Sequence, residues 1–183
     1  MDSGNIGFVL LCAAFVFVMT PGLAMFYGGL VRKKNVVNTM MTSIFIIGVG
    51  IVMWVLFGYS LSFAPSGNVF IGDFRWLGLE GVSLTEGYTD DASIPNMVFS
   101  AFQMMFAVIT PALITGAVAG RMKFKSIFVF TIFWSLIVYY PLAHMVWGQG
   151  GLLGADGIGA LDFAGGDVVH ISSGVSALVL CIL

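Results

Sequence analysis

Long apolar stretches separated by short polar connections run along the whole chain. Uncharged stretches cover residues 3–31, 35–72, 92–120 and 126–155, and a fifth apolar run follows Asp167. An α-helix needs about 20 mostly apolar residues to cross a bilayer. The apolar residues lack the alternation typical of porin strands, which favours spanning helices over a β-barrel. The predicted spanning helices cover approximately residues 6–31, 36–63, 95–119, 126–147 and 164–183.

The charged residues are few, and the two signs occupy different connections. They make up 9% of the chain, far below the roughly 25% of a soluble domain. All but one of the seven basic residues lie in two short connections, as Arg32, Lys33, Lys34, Arg121, Lys123 and Lys125. The nine acidic residues lie elsewhere, as Asp2, Asp73, Glu80, Glu86, Asp90, Asp91, Asp156, Asp162 and Asp167. By the positive-inside rule, we predict a multi-pass cell-membrane protein with its N-terminus outside.

Two connections, at about 64–94 and 148–166, are predicted on the outer side. The second contains many glycines, and we expect it to fold rather than to act as a flexible linker, because it leads to a charged residue beside an intramembrane histidine. The last apolar run ends at Leu183 without a basic cluster. A second five-helix unit in the same chain would be inserted in the opposite orientation, as in inverted-repeat transporters. We therefore expect these residues to be the first part of a longer polypeptide.

Candidate chemistry begins with His170 inside the fifth apolar run. It lies eight residues after Asp162, which corresponds to about 12 Å along a continuous helix and places it near the bilayer midplane. An imidazole at that depth either bonds a neighbouring helix or serves a pore or proton relay. Asp162 is predicted to cap the helix, with direct ligand contact as the alternative. Asp167 either adds negative potential at the entrance or pairs locally.

Aromatic residues form a second group of candidates. Phe99, Phe102 and Phe106 recur at helical spacing, and Trp147 ends the fourth predicted helix. Such residues commonly serve helix packing or the membrane-interface belt. Near an acidic entrance they could instead form a cation–π site. His144, one turn before Trp147, is interpreted as structural.

Other chemistries find little support in the residue pattern. Ser172 lies only two residues from His170, a poor spacing for a nucleophile and base on one helix. Cys12 and Cys181 stand alone in apolar runs and are interpreted as small core residues. The chain has no P-loop, HExxH or haem motif, and no basic patch for nucleic acid. We therefore predict a non-enzyme with no cofactor, no metal and no nucleic-acid partner.

Four blocks of sequence resemble the ammonium transporter family, which is related to the Rhesus proteins. The blocks are MTPGLAMFYGGL at 19–30, FQ at 102–103 with Phe106 and IT at 109–110, AHMVWG at 143–148, and DFAGG at 162–166 with VVH at 168–170. The resemblance implies an eleven-helix fold with two inverted five-helix halves, of which this chain is the first. It also implies homotrimers with one pore in each subunit.

The resemblance assigns roles to individual positions. Phe106 and Trp147 match the aromatic residues of an outer ammonium site, and Asp162 matches the acid that supports recruitment of the cation. Phe102 and Phe106 match the gate region, and His170 matches the first of two paired pore histidines. The implied mechanism binds ammonium, deprotonates it, and passes ammonia along an apolar pore. Gly120 departs from the family, where many relatives carry Glu, and the spacing from 147 to 162 is longer.

Partners and rival functions follow from the same resemblance. The expected partners are ammonium or ammonia, membrane lipid, further copies of the chain in a homotrimer, and a cytoplasmic regulator of the PII family. An ammonium sensor using the same fold and a Rhesus-like gas channel are the alternatives. A membrane-embedded hydrolase using His170 and Ser172 is a rival from another class.

Overall fold

The computed structural model describes residues 1–65, 68–155 and 157–183, and its long elements are helices. Helix α1 covers Ser3–Leu30, α2 Lys33–Phe63, α3 Asn96–Val118, α4 Phe124–Trp147 and α5 Gly166–Ile182. The first four are long and apolar enough to span a bilayer, whereas α5 is shorter. The described residues contain no β-strand. Asp156, one of the acids predicted outside, and residues 66–67 of the first outer connection lie outside the described residues.

Differences from the predicted helices lie at the ends. Helix α1 begins at Ser3 rather than near residue 6, because the Asp2 carboxylate accepts the backbone N–H of Asn5 at 2.8 Å and caps the first turn. Helix α5 begins at Gly166 rather than at 164. The preceding Gly165 adopts a left-handed conformation with φ of 75°, which interrupts the helix.

Single π-helical turns interrupt α2 in its last third and α4 near its middle. They cover Trp54–Gly58 in α2 and Ser135–Tyr139 in α4. The two helices approach closely there, as shown by Gly58, where an added Cβ atom would lie 2.7 Å from the ring of Tyr140. Glycine is therefore required at this crossing. A further π turn, Gly166–Ile171, opens α5.

The buried core is aromatic. Trp54, Tyr59, Phe63 and Tyr140 are almost fully buried. Their rings make tilted, edge-on and stacked contacts with centroids 5.6 to 6.1 Å apart. In helix α1, by contrast, only 6% of the most apolar 18-residue segment is buried. The apolar surface that α1 exposes is typical of a helix that meets lipid or other apolar helices.

Acidic and basic residues lie at opposite ends of the bundle. At one end, the backbone N–H of Asp2 donates to Ser93 O at 2.9 Å, which joins the start of α1 to the segment before α3. At the other end, Arg32 and Lys34 share a cavity with Ala119 and Gly120. We call these the acidic end and the basic end. The separation matches the charge pattern of the sequence.

The glycine-rich segment after α4 is folded onto the acidic end, as predicted. The backbone N–H groups of Leu153 and Gly154 both donate to Met145 O, at 2.8 and 2.9 Å. His144 is fully buried beneath this segment. Its Nδ1 lies 3.1 Å from Ser62 O and its Nε2 2.8 Å from Asn68 O. His144 therefore has the structural role predicted for it.

Candidate functional site

A cavity of about 570 Å³ opens at the acidic end between α3, the end of α4 and the segment before α5. Four of the five predicted site residues line it, namely Phe102, Phe106, Trp147 and Asp162. Residues distant in sequence meet here because α3 and α4 pack together and the chain then returns to α5. The remaining lining residues are Tyr88, Thr89, Ala92, Ile94, Phe99, Gln103, Phe163, Ala164 and Gly165.

The aromatic side of the cavity is built by two helices. Phe102 and Phe106 stand one turn apart on α3, with ring centroids 5.0 Å apart and planes at 89°. Trp147 comes from the last turn of α4, and its ring centroid lies 6.3 Å from that of Phe106, at 61°. All three side chains are partly buried. A small cation bound in the cavity against the face of either ring would lie within about 6 Å of its centroid, the range of cation–π attraction.

Asp162 supplies the carboxylate of the cavity and also caps α5. Its Oδ1 accepts the backbone N–H of Gly166 at 2.6 Å, and its Oδ2 accepts those of Asp167 and Val168 at 3.2 and 3.3 Å. The predicted capping role is therefore present, although Asp162 lies before a turn and not at the first helical residue. The left-handed Gly165 makes that turn possible. The carboxylate is held rigidly beside Gly165, whose ideal Cβ position lies 3.7 Å from the Trp147 ring.

Gln103 is a lining residue that the sequence analysis did not single out. Its Oε1 is buried and has no hydrogen-bond partner among the described residues. A buried carbonyl acceptor without a donor is costly, so this oxygen is suited to an N–H group of a bound ligand. The available signal was an amide side chain directly after Phe102, within a predicted membrane-spanning helix.

Tyr88 forms part of the cavity rim in the connection between α2 and α3. Its ring stacks on Phe99 with centroids 4.8 Å apart, and its hydroxyl accepts the backbone N–H of Gln149 at 3.1 Å. Burial raises the pKa of Tyr88 to about 12, although the Gln149 N–H acts in the opposite direction. The phenol is therefore neutral near neutral pH, and Asp162 is the one acidic carboxyl group among the described lining residues.

His170 is not among the residues that line this cavity. The prediction that it lies about 12 Å beyond Asp162 along one helix is wrong, because residues 162–165 are not helical and α5 begins only at Gly166. Its side chain is exposed on the outer face of α5. Val168 and Val169 are buried against the core instead, so within the described residues His170 faces an uncovered side of the bundle.

The environment of Ser172 argues against a hydrolase site that uses it with His170. It is buried, and its hydroxyl donates to the backbone carbonyls of Val168 and Val169 within its own helix. A hydroxyl held in this way is not presented to an imidazole base. His170, two residues away, points to the exposed side.

The family model of the ammonium transporter family matches residues 7–183. The chain belongs to the ammonium transporter family. The resemblance stated from the four sequence blocks is therefore confirmed, together with the membrane-embedded, all-helical fold.

Curated ammonium transporters share much of their sequence with this family member. The one from Bacillus subtilis is 52% identical over 183 residues, which is all of this chain and 44% of that protein. The one from Aquifex aeolicus is 45% identical over 98% of this chain and 41% of its own length. The chain thus spans less than half the length of these relatives.

Solved structures confirm that this ammonium transporter chain has the fold of the family. Mep2 of Saccharomyces cerevisiae superposes on 98% of the chain and 42% of its own length, with a TM-score of 0.87 and 36% identity. A protein described as a sensor Amt protein superposes on 95% of this chain and 42% of its own length. Its TM-score is 0.80 and its identity 27%.

Proposed function

We propose that the longer polypeptide of which this chain forms a part transports ammonium across the membrane, and that the cavity at the acidic end binds the cation. The observation that carries this proposal is that Phe106 and Trp147, whose rings meet edge-on, line the same cavity as Asp162. This arrangement combines two aromatic rings, one carboxylate and the free acceptor of Gln103. Those groups suit a small cation that donates several hydrogen bonds.

Binding must replace the hydration of the cation. Each well-placed aromatic face contributes roughly 0.5 to 2 kcal/mol of cation–π attraction. The Asp162 carboxylate adds negative potential without a direct contact, since its oxygens already accept backbone N–H groups of α5. Gln103 Oε1 can accept one N–H of ammonium. The aromatic rings thus select for charge and small size, and the amide selects for a hydrogen-bond donor.

Moving a bare charge through hydrocarbon costs several kcal/mol. Loss of a proton to water at the acidic end converts ammonium to ammonia at the cavity, and the neutral ammonia can pass along an apolar path. We infer that Phe102 and Phe106 form the gate below the site and that His170 lines the path beyond it. His170 is exposed on one side of the chain, so the rest of the longer polypeptide must cover that side to complete the pore. A neutral imidazole there can both donate to and accept from ammonia.

The membrane orientation and partners are part of the same proposal. The separation of acidic and basic ends favours a cytoplasmic basic end and therefore an N-terminus outside. The complete protein is proposed to form a homotrimer in the membrane, with a PII-family regulator approaching the basic end. The Arg32 and Lys34 side chains exposed there provide a charged surface for such contacts.

An ammonium sensor is the second candidate function. The structural likeness to the sensor Amt protein favours it. The fold of this chain does not distinguish a protein that only binds ammonium from one that transports it. A sensor would bind ammonium in the same cavity without sustained flux. A Rhesus-like gas channel has less support, because an uncharged gas does not need the proposed cation site, to which Trp147 of the block AHMVWG at 143–148 contributes.

Transport by the full-length polypeptide in proteoliposomes separates these functions. We expect saturable ammonium uptake above that of protein-free liposomes. His170→Ala is expected to reduce uptake at least tenfold, whereas Val175→Ala, an exposed apolar residue on the same helix, leaves it unchanged. Binding of ammonium without uptake would identify a sensor and contradict the transport proposal.

A further inference from the structure

One side of the ammonium cavity is formed by a short loop in the connection between α2 and α3, which we call the wall loop (residues 87–94). Four of its residues line the cavity, namely Tyr88, Thr89, Ala92 and Ile94. The N–H of Ala92 donates to Thr89 O at 3.0 Å, and the N–H of Asn96 donates to Glu86 O at 2.8 Å. The wall loop is therefore a compact unit, and its distance from the end of α4 determines the width of the cavity.

Gln149 joins the wall loop to the end of α4 through two hydrogen bonds. Its backbone N–H donates to the Tyr88 hydroxyl at 3.1 Å, and its side-chain Nε2 donates to Tyr88 O at 3.0 Å. Among the described residues, these are the only hydrogen bonds between the wall loop and residues 148–165. Because Gln149 stands two residues after Trp147, the two bonds fix the wall loop relative to the aromatic site.

The Tyr88 ring extends this connection to α3. It stacks on Phe99 with centroids 4.8 Å apart and planes at 6°. Phe99 precedes Phe102 by three residues on α3, and the edge-on contacts of Phe106 with Phe102 and with Trp147 lead back to α4. Contacts therefore run around the cavity from α4 through the wall loop to α3 and back. Loss of the hydrogen bonds to Tyr88 would open this circuit on one side.

The width of the cavity determines which cations it holds closely. Cation–π attraction requires the cation to lie within about 6 Å of a ring centroid. An alkylated ammonium ion is larger than ammonium and offers fewer N–H donors, so it needs more space between the wall loop and Trp147. A wall loop held in one position favours the smaller ion, whereas a loop that can move outward admits the larger one.

We propose that Gln149 and Tyr88 set the size selectivity of the cation cavity by holding the wall loop against the end of α4. The inference rests on the proposed ammonium site. Gln149 is exposed and is not among the lining residues, so it is a positioning residue that acts through Tyr88. A contact that served stability alone would leave the relative affinity for two cations unaltered. Selectivity is therefore the measurement that separates the two roles.

Uptake of ammonium and of methylammonium by the full-length polypeptide in proteoliposomes tests this assignment. The selectivity ratio is the half-saturating concentration of methylammonium divided by that of ammonium. Gln149→Met removes the side-chain donor but keeps a side chain of similar length. Tyr88→Phe removes the hydroxyl acceptor but keeps the ring that stacks on Phe99. Each variant is expected to lower the ratio about three- to fivefold, as for the loss of one hydrogen bond, and the double variant should lower it further.

Ser83→Ala is the matched control in the same connection. The Ser83 hydroxyl accepts the backbone N–H groups of Thr85 and Glu86 at 3.1 and 2.9 Å, and Ser83 does not line the cavity. Its substitution should lower the melting temperature and leave the selectivity ratio unchanged. A ratio as low as that of the Gln149 and Tyr88 variants would show that general loosening of the connection is responsible, and would overturn the assignment.

The remaining outcomes separate this inference from the proposed function. A parental selectivity ratio in Gln149→Met, Tyr88→Phe and the double variant, with saturable ammonium uptake intact, would overturn the positioning role and leave the transport proposal standing. Absence of saturable uptake by the parent would contradict the transport proposal itself, and the positioning role with it.

Discussion

Asp162 Oδ1 accepts the backbone N–H of Gly166 at 2.6 Å, across the left-handed turn at Gly165. This contact fixes the start of α5 and at the same time holds a carboxylate at the wall of the aromatic cavity. The same residue thus has a structural and an electrostatic effect. The two effects can be separated, because the amide of asparagine keeps one acceptor oxygen but carries no charge.

Asp162→Ala is expected to destabilise the protein by about 1 kcal/mol, the usual cost of losing a helix cap, and to raise the ammonium concentration that gives half-maximal transport. Asp162→Asn should regain part of the stability but not the apparent affinity. Asp2→Ala is the matched control, because Asp2 caps α1 with a 2.8 Å bond to Asn5 N and lies outside the cavity lining. It should lower the melting temperature only. If Asp162→Ala and Asp162→Asn had the same apparent affinity for ammonium as Asp2→Ala and the parent, an electrostatic role for Asp162 would be contradicted.

His144 and His170 are expected to respond oppositely to substitution. His144 is fully buried between the carbonyl oxygens of Ser62 and Asn68. His144→Leu removes the donor to a buried acceptor and should cost about 1 to 3 kcal/mol. His170→Leu should lower transport with a much smaller change in melting temperature. Thermal unfolding of the full-length polypeptide in detergent, combined with uptake assays, measures both effects. A larger loss of stability from His170→Leu would contradict the assigned roles.

The glycine-rich segment depends on close backbone packing at Gly151. A Cβ there would lie 2.5 Å from Met145 O and would also meet His144 O. Gly151→Ala should therefore displace the segment and lower the melting temperature more than Gly150→Ala. Gly150 has a φ of 76° but nothing within 4 Å of its Cβ position. Gly150→Ala therefore adds only the strain of an alanine in a left-handed backbone conformation. Equal melting temperatures for the two variants would show that the close packing is unimportant.

The spanning helices could be predicted from the sequence because lipid imposes a simple rule. Backbone groups must be satisfied within each span, so the continuous apolar runs determine the helices, and the start of α1 shifted only because Asp2 caps it. Charge patterning likewise predicted which connections share an end of the bundle. These are local properties of the chain, which one sequence is enough to reveal.

The site was only partly predictable. Phe102, Phe106, Trp147 and Asp162 line one cavity, but their proximity depends on tertiary packing, and their individual roles were assigned through the family resemblance. The assumption of one continuous helix from Asp162 to His170 was wrong, because a left-handed turn at Gly165 precedes the start of α5. Gln103 escaped notice because an unpaired buried oxygen becomes visible only when its surroundings are known.

The central claim is that Phe106 and Trp147 bind the ammonium cation, and its most direct test is the rate of ammonium uptake by the full-length polypeptide in proteoliposomes, measured over a series of ammonium concentrations. Phe106→Leu and Trp147→Leu should each raise the half-saturating concentration roughly 2- to 30-fold, as expected for loss of one cation–π contact. Phe74→Leu, an exposed aromatic outside the cavity lining, should match the parent. Unchanged half-saturating concentrations in both site variants would contradict the claim.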